Sequence, residues 1–198
     1  LWHDRSVRYL ILASAMATLG GTAFGMWNAT FLVRSYDLKL QHAGLLTGLI
    51  GGGTAGFGVM FAGWLSDRLG RRRCFMLFAI CAGILVTFYT QLPITDGAMM
   101  VLGFPLGFFL SGIFSGMGAY LTELYPSHIR GSGQGFCYNF GRAVGSVCPA
   151  MVGYMSSSMS LGVAIGYMAA GAYALVVIAC LVLPETQGRE LVDATGPA

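Results

Sequence analysis

Gly63-Trp64-Leu65-Ser66-Asp67-Arg68-Leu69-Gly70-Arg71-Arg72-Arg73 is a knot of charge set between two long apolar runs. One acid and four arginines occupy residues 67–73, in a chain where only 10% of residues are charged. A membrane span needs about 20 apolar residues at about 1.5 Å each, and the runs on both sides are that long. The stretch therefore reads as a short polar hairpin between two membrane helices, on the side of the bilayer that favours arginine.

Composition points the same way. The chain is 56% hydrophobic, with a mean hydropathy of +0.70, whereas soluble domains carry about 25% charge. Lipid can cover that much apolar surface; water cannot. Glycine, at 30 of 198 residues, is roughly twice its usual share, and small residues let membrane helices approach closely. The net charge of +3 is concentrated in one turn between lipid-length segments, which excludes a nucleic-acid-binding face. Cys74, Cys81, Cys137, Cys148 and Cys180 lie in or beside apolar runs without metal-ligand spacing, so they read as small apolar residues, and no metal or cofactor is expected. The charged start does not resemble a signal peptide. A first residue of Leu fits a fragment of a longer protein.

Six spans are expected, over residues 8–33, 43–66, 74–92, 98–122, 131–156 and 161–183, forming one all-α membrane bundle across residues 1–198. Polar stretches separate them: residues 34–42, the charged knot, residues 93–97 with Asp96, residues 123–130 with Pro126, and a serine-rich turn at 156–160. Pro105 and Pro149 fall inside spans and should kink them. Arg5, Arg8, Arg68, Arg71, Arg72, Arg73, Arg130 and Arg189 fall on one side, and only Arg34 and Lys39 on the other. Both ends and the 67–73 turn are thus expected in the cytoplasm.

Several spans carry a polar face. Ser14, Thr18, Gly21, Gly25 and Asn28 recur at helical spacing in the first, and Ser111, Ser115, Gly118 and Thr122 in the fourth. The fifth has Gly135, Asn139, Arg142, Ser146 and Pro149. Such faces pack on another helix or line water. Asn28, Ser111, Ser115, Asn139 and Arg142 are the candidate substrate-binding residues. Arg142 stands out, because a charge near mid-membrane costs about 2.5–3.5 kcal/mol on insertion scales. It either attracts an anionic substrate or makes a structural ion pair. No acid lies deep in a span, and His3, His42 and His128 all sit in loops. Either proton coupling is absent, or its titrating group lies in residues outside this chain. Nothing has the spacing of a catalytic set.

The G-x-L-x-D-R-x-G-R-R-R stretch resembles the loop signature of the major facilitator superfamily of secondary transporters. Glu123-Leu124-Tyr125-Pro126-Ser127-His128-Ile129-Arg130-Gly131, running into Tyr138-Asn139-Phe140-Gly141-Arg142, is similar to a pattern in the branch that carries organic acids and related metabolites with protons. Leu183-Pro184-Glu185-Thr186-Gln187-Gly188 is similar to an ending common in sugar porters. The resemblance implies the carboxyl-terminal half, three plus three helices, of a twelve-helix transporter in a cytoplasmic membrane. Its first and fourth spans would line the cavity, and its third and sixth would lie outside. It implies gating roles for Asp67, Arg68, Arg71, Arg72, Glu123 and Arg130, with Gly63 and Gly70 for close packing and the turn. Its partners would be a small organic anion or a sugar, a proton, the lipid bilayer and a missing amino-terminal half. The implied function is proton-coupled uptake of a small organic anion. Alternatives are a sugar or polyol porter, or a sensor or scaffold that kept the fold without the flux.

Overall fold

Gly70 joins two long helices with no linker between them. Its N–H donates to the Ser66 carbonyl at 3.2 Å, and its own carbonyl accepts from the Cys74 N–H at 3.1 Å. One residue thus closes one helix and opens the next. Its φ of 97° and ψ of 151° lie where L side chains are strained, and glycine alone enters freely.

The computed structural model describes residues 5–93, 96–125 and 127–187. His3, Pro126, Gly188 and Arg189, discussed above, lie outside them. The helices are α1 (Arg5–Tyr36), α2 (Leu40–Leu69), α3 (Arg71–Gln91), α4 (Asp96–Leu124), α5 (Arg130–Gly145), α6 (Cys148–Met155) and α7 (Leu161–Val182). Among the described residues five helices are long and apolar enough to cross a membrane: α1, α2, α3, α4 and α7. The break expected over 34–42 contracts to residues 37–39. Arg34 sits in the last turn of α1, where a cation suits the helix dipole, and Asp37 makes the turn with a φ of 50°. The helix α4 begins at Asp96, inside the stretch read as an outer turn.

The fifth segment differs most from the reading of one span over 131–156. It runs as α5 and α6, with Ser146 and Val147 as a turn between them. Pro149 explains the break. It has no N–H for the carbonyl of Gly145, four residues earlier, and its ring would clash there. The chain restarts with Pro149 in the first turn of α6, where a missing donor costs nothing. Pro105, by contrast, lies inside a continuous α4.

The helix α4 packs against α2 and α3, α7 against α1 and α3, and α5 against α1. Backbones touch where glycine allows it: a Cβ on Gly58 would stand 2.2 Å from the Phe108 carbonyl oxygen, so α2 and α4 meet without side chains between them. Aromatic rings fill the remaining seams. Phe78 stacks on Phe108 at 6.0 Å between centroids, and Phe24 meets Tyr89 edge-on at 5.4 Å. The exposed faces of α3 and α7 carry Leu77, Ile80, Ile84 and Phe88, and Leu175, Ile178 and Leu181. Such a surface suits lipid.

Candidate functional site

Arg71 is the hub of the charged turn. Its Nε donates to Glu123 Oε1 at 2.8 Å, and a terminal nitrogen lies 2.7 Å from the same oxygen. Its other terminal nitrogen donates to Asp67 Oδ1 at 2.5 Å and to Ser66 Oγ at 3.1 Å. One guanidinium therefore ties α3 to the end of α2 and the end of α4. The two pairs differ in weight. Arg71 and Glu123 have side chains only 15% and 14% exposed, whereas Asp67 is 67% exposed. An exposed pair is worth about 0–1 kcal/mol, while hydrogen bonds to charged groups, as in the half-buried Arg71–Glu123 pair, are worth about 1.5–3 kcal/mol.

The segment after α7 locks onto the same cluster. Glu185 Oε1 accepts from the backbone N–H of Arg71 at 2.7 Å and of Arg72 at 3.4 Å. A carboxylate thus caps the first turn of α3, satisfying donors the helix leaves free. Gly70 makes room, because a Cβ there would lie 2.5 Å from Glu185 Oε2. The Thr186 hydroxyl donates to Glu123 Oε2 at 2.7 Å, so the two oxygens of Glu123 serve different elements. The Gln187 amide donates to the Asp67 carbonyl, and the Tyr120 hydroxyl to the Pro184 carbonyl. The sequence marked this tail only as a family likeness; contacts across 114 residues leave no local pattern.

The other expected gating residues spread around this hub. Arg68 lies over the Trp64 ring, 4.3 Å from its centroid. Arg72 contributes its backbone, and its side chain stays outside the Arg71 pairs. Arg130 Nε donates to the Tyr125 carbonyl at 3.3 Å, and one terminal nitrogen is buried without a partner. Tyr125 in turn packs its hydroxyl 3.2 Å from Cys137 Sγ. Burial, and then that contact, push its phenol pKa above the ordinary value, so it stays protonated. Gly63 faces Ser115 on α4, with 3.5 Å between its built Cβ position and the Ser115 hydroxyl.

A cavity of about 460 Å³ opens between α1, α2 and α4. Thr18, Gly21, Gly25 and Asn28, four of the five residues on the polar stripe of α1, line it, with Ser111 from α4. Thr47 on α2 lines it too, and the sequence reading missed it. Its hydroxyl donates to the Ala43 carbonyl at 2.8 Å and accepts from the Asn28 amide nitrogen at 3.4 Å. That bond fixes the amide: Asn28, only 3% exposed, keeps its carbonyl oxygen buried and unpartnered. A ligand donating an O–H or N–H would satisfy it only after a small shift of the cavity wall uncovers that atom.

Asn139 and Arg142 do not join this cavity. Both are exposed on α5, where the Asn139 amide donates to the Gly135 carbonyl at 2.8 Å and Arg142 stands 5.9 Å from the Tyr138 ring centroid. Ser115 lies outside the cavity as well.

A sequence profile described as the Major Facilitator Superfamily matches residues 10–197. The chain belongs to the major facilitator superfamily. This facilitator chain is 37% identical over 139 residues to a "Probable 4-methylmuconolactone transporter" of Cupriavidus pinatubonensis, covering 68% of the chain and 32% of that protein. It is 30% identical over 195 residues to a "Cis,cis-muconate transport protein" of Acinetobacter baylyi, covering 94% and 46%. Among solved structures, the proton:xylose symporter XylE bound to 6-bromo-6-deoxy-D-glucose shares the fold, with a TM-score of 0.64 at 20% identity, over 91% of the chain and 46% of XylE. The chain spans less than half the length of these relatives. It is an all-α, integral, multi-pass membrane protein with half a facilitator fold.

Proposed function

We propose that the chain forms one half of a proton-linked secondary transporter for a small organic anion, working by alternating access in a cytoplasmic membrane. The observation that carries this reading is the pairing of a mostly apolar cavity that bears a few polar side chains with an ion-paired lock. Asn28, Thr47 and Ser111 offer hydrogen bonds inside a space of about 460 Å³, and Arg71 clamps α2, α3, α4 and the tail together. Opening a passage requires helices to shift, and ion pairs at helix ends are contacts that break in such shifts. The relatives named for muconate and methylmuconolactone support the substrate class.

In this reading Asp67, Arg71 and Glu123 form the lock, assisted by Gly63, Arg68, Gly70, Arg72 and Arg130, with both termini and the 67–73 turn in the cytoplasm. Asn28 and Ser111 belong to the substrate path, whereas Ser115, expected beside them, packs against Gly63 outside the cavity. Asn139 and Arg142 sit on the exposed face of α5, where a second six-helix half would cover them and Arg142 would draw an anion inward. The coupling proton would be handled by that second half.

A sugar or polyol is the second reading. The free acceptor on Asn28 suits a hydroxyl donor, and the residues lining the cavity carry no charge.

Counterflow in proteoliposomes holding the full-length protein tests both. Exchange of labelled muconate, lost in Arg142→Gln and kept in Arg142→Lys, supports the anion. Exchange of labelled polyols that is indifferent to Arg142→Gln supports the second reading. Ligand binding without exchange of either class identifies a sensor and ends the transport proposal.

A further inference from the structure

A second and larger cavity, about 530 Å³, lies on the outside of the bundle along the seam of α3 and α7. Its floor is made of small residues, Ala79 and Gly83 from α3 and Ala170 and Ala174 from α7, over the ring of Tyr173. Exposed Ile80, Ile84, Phe88 and Ile178 form its rims. The groove is apolar and turned toward lipid. From Ala79 to Phe88 it follows α3 for roughly 14 Å, close to half of a hydrocarbon core about 30 Å thick. One leaflet's acyl chain is of that length.

The α3 wall continues toward the charged turn. Residues 72, 73, 76, 79, 80, 83, 84, 87 and 88 recur at three- and four-residue steps, so Arg72 and Arg73 stand on the groove's face of α3 at its arginine-rich end. Arg72 is half-buried and Arg73 exposed. Among the described residues the ion pairs are those of Arg71, and the Glu185 carboxylate accepts from the Arg72 backbone N–H rather than from its guanidinium. Two guanidinium groups with no ion-pair partner among the described residues therefore stand beyond the arginine-rich end of an apolar groove.

We propose that the α3–α7 seam binds one anionic phospholipid of the leaflet nearest the arginine-rich turn, with an acyl chain in the groove and the phosphate on Arg72 and Arg73. Guanidinium forks match phosphate oxygens. The two charges together favour an anionic headgroup over a zwitterionic one, whose ammonium they repel. The small residues on the floor leave room for methylenes, which dispersion and shape hold in place.

The test uses the full-length protein in vesicles of equal phosphatidylcholine and phosphatidylglycerol, extracted gently, with retained lipid counted by native mass spectrometry. Wild type is expected to keep phosphatidylglycerol in preference to phosphatidylcholine. In Arg72→Gln/Arg73→Gln the preference falls by roughly tenfold, and Arg72→Lys/Arg73→Lys restores most of it. Ala174→Trp fills the groove at an exposed position and lowers retention of both lipids. Soluble glycerol phosphate leaves the bound lipid in place. The proposal is overturned by equal retention of the two lipids in wild type, by an undiminished preference in the double Gln variant, by normal retention in Ala174→Trp, or by displacement with glycerol phosphate, which would make this a free-anion site.

Discussion

Arg71 and Glu123 meet across 52 residues of sequence, with two nitrogens of one guanidinium on a single carboxylate oxygen, at 2.8 and 2.7 Å. The second oxygen of Glu123 accepts from Thr186. Loss of this carboxylate therefore frees two elements at once. Glu123→Gln is expected to weaken the closed turn by about 1.5–3 kcal/mol, and Asp67→Asn by about 0–1 kcal/mol. Hydrogen exchange of the amides in residues 67–73 and 183–187 reads the difference. Equal protection in the two variants would remove the ranking.

Gly70→Ala should be costly for two separate reasons. Its backbone enters a region that costs a residue with a Cβ about 1–3 kcal/mol. The new methyl would also displace the Glu185 cap, worth about 0.5–2 kcal/mol. Thermal unfolding in detergent should show a clear fall in Tm. Gly63→Ala, whose Cβ meets only the Ser115 hydroxyl at ordinary contact, is the matched control and should leave Tm within error.

The Asn28 carbonyl oxygen lies buried and unpartnered in the cavity wall, where a small side-chain shift would bring it to a ligand. Asn28→Ala in the full-length protein is expected to weaken substrate binding by about tenfold, the size of one hydrogen bond of about 1–1.5 kcal/mol. Isothermal titration with the transported compound measures it. Ser111→Phe should block binding by filling the space. Unchanged affinity in both variants would place the substrate elsewhere.

Gly58 and Gly52 lie on the same helix in opposite circumstances. A Cβ on Gly58 collides with the Phe108 carbonyl, whereas one on Gly52 meets nothing within 4 Å. Gly58→Leu is expected to separate α2 from α4 at a cost of roughly 1–3 kcal/mol or more, seen as poor yield and a broad size-exclusion profile. Gly52→Ala should behave as wild type.

Much of this arrangement is legible in the order of residues. The charged knot announces the α2–α3 hairpin, because charge between lipid-length apolar runs has few other places to go. The stripe from Thr18 to Asn28 on α1 predicts a face turned away from lipid, and it lines the cavity. The α5–α6 break is harder to see. A proline inside an apolar run either sits within a helix, as Pro105 does in a continuous α4, or ends one, as Pro149 does, and the sequence around the two does not distinguish them. The tail is harder still. Glu185 and Thr186 act on partners 114 and 63 residues away, and no periodicity encodes a distance of that kind. Thr47 is a lone hydroxyl in an apolar helix, and only its position opposite Asn28 gives it meaning.

The docked tail has a practical consequence for anyone attaching cargo to this protein. Residues 185–187 are wedged between the ends of α2, α3 and α4, so a rigid fusion placed directly after Gln187 would lever against the arginine cluster. A long flexible spacer would transmit no such torque. A fluorescent reporter attached at that point without one would respond to the state of the turn rather than ride along as a passive label.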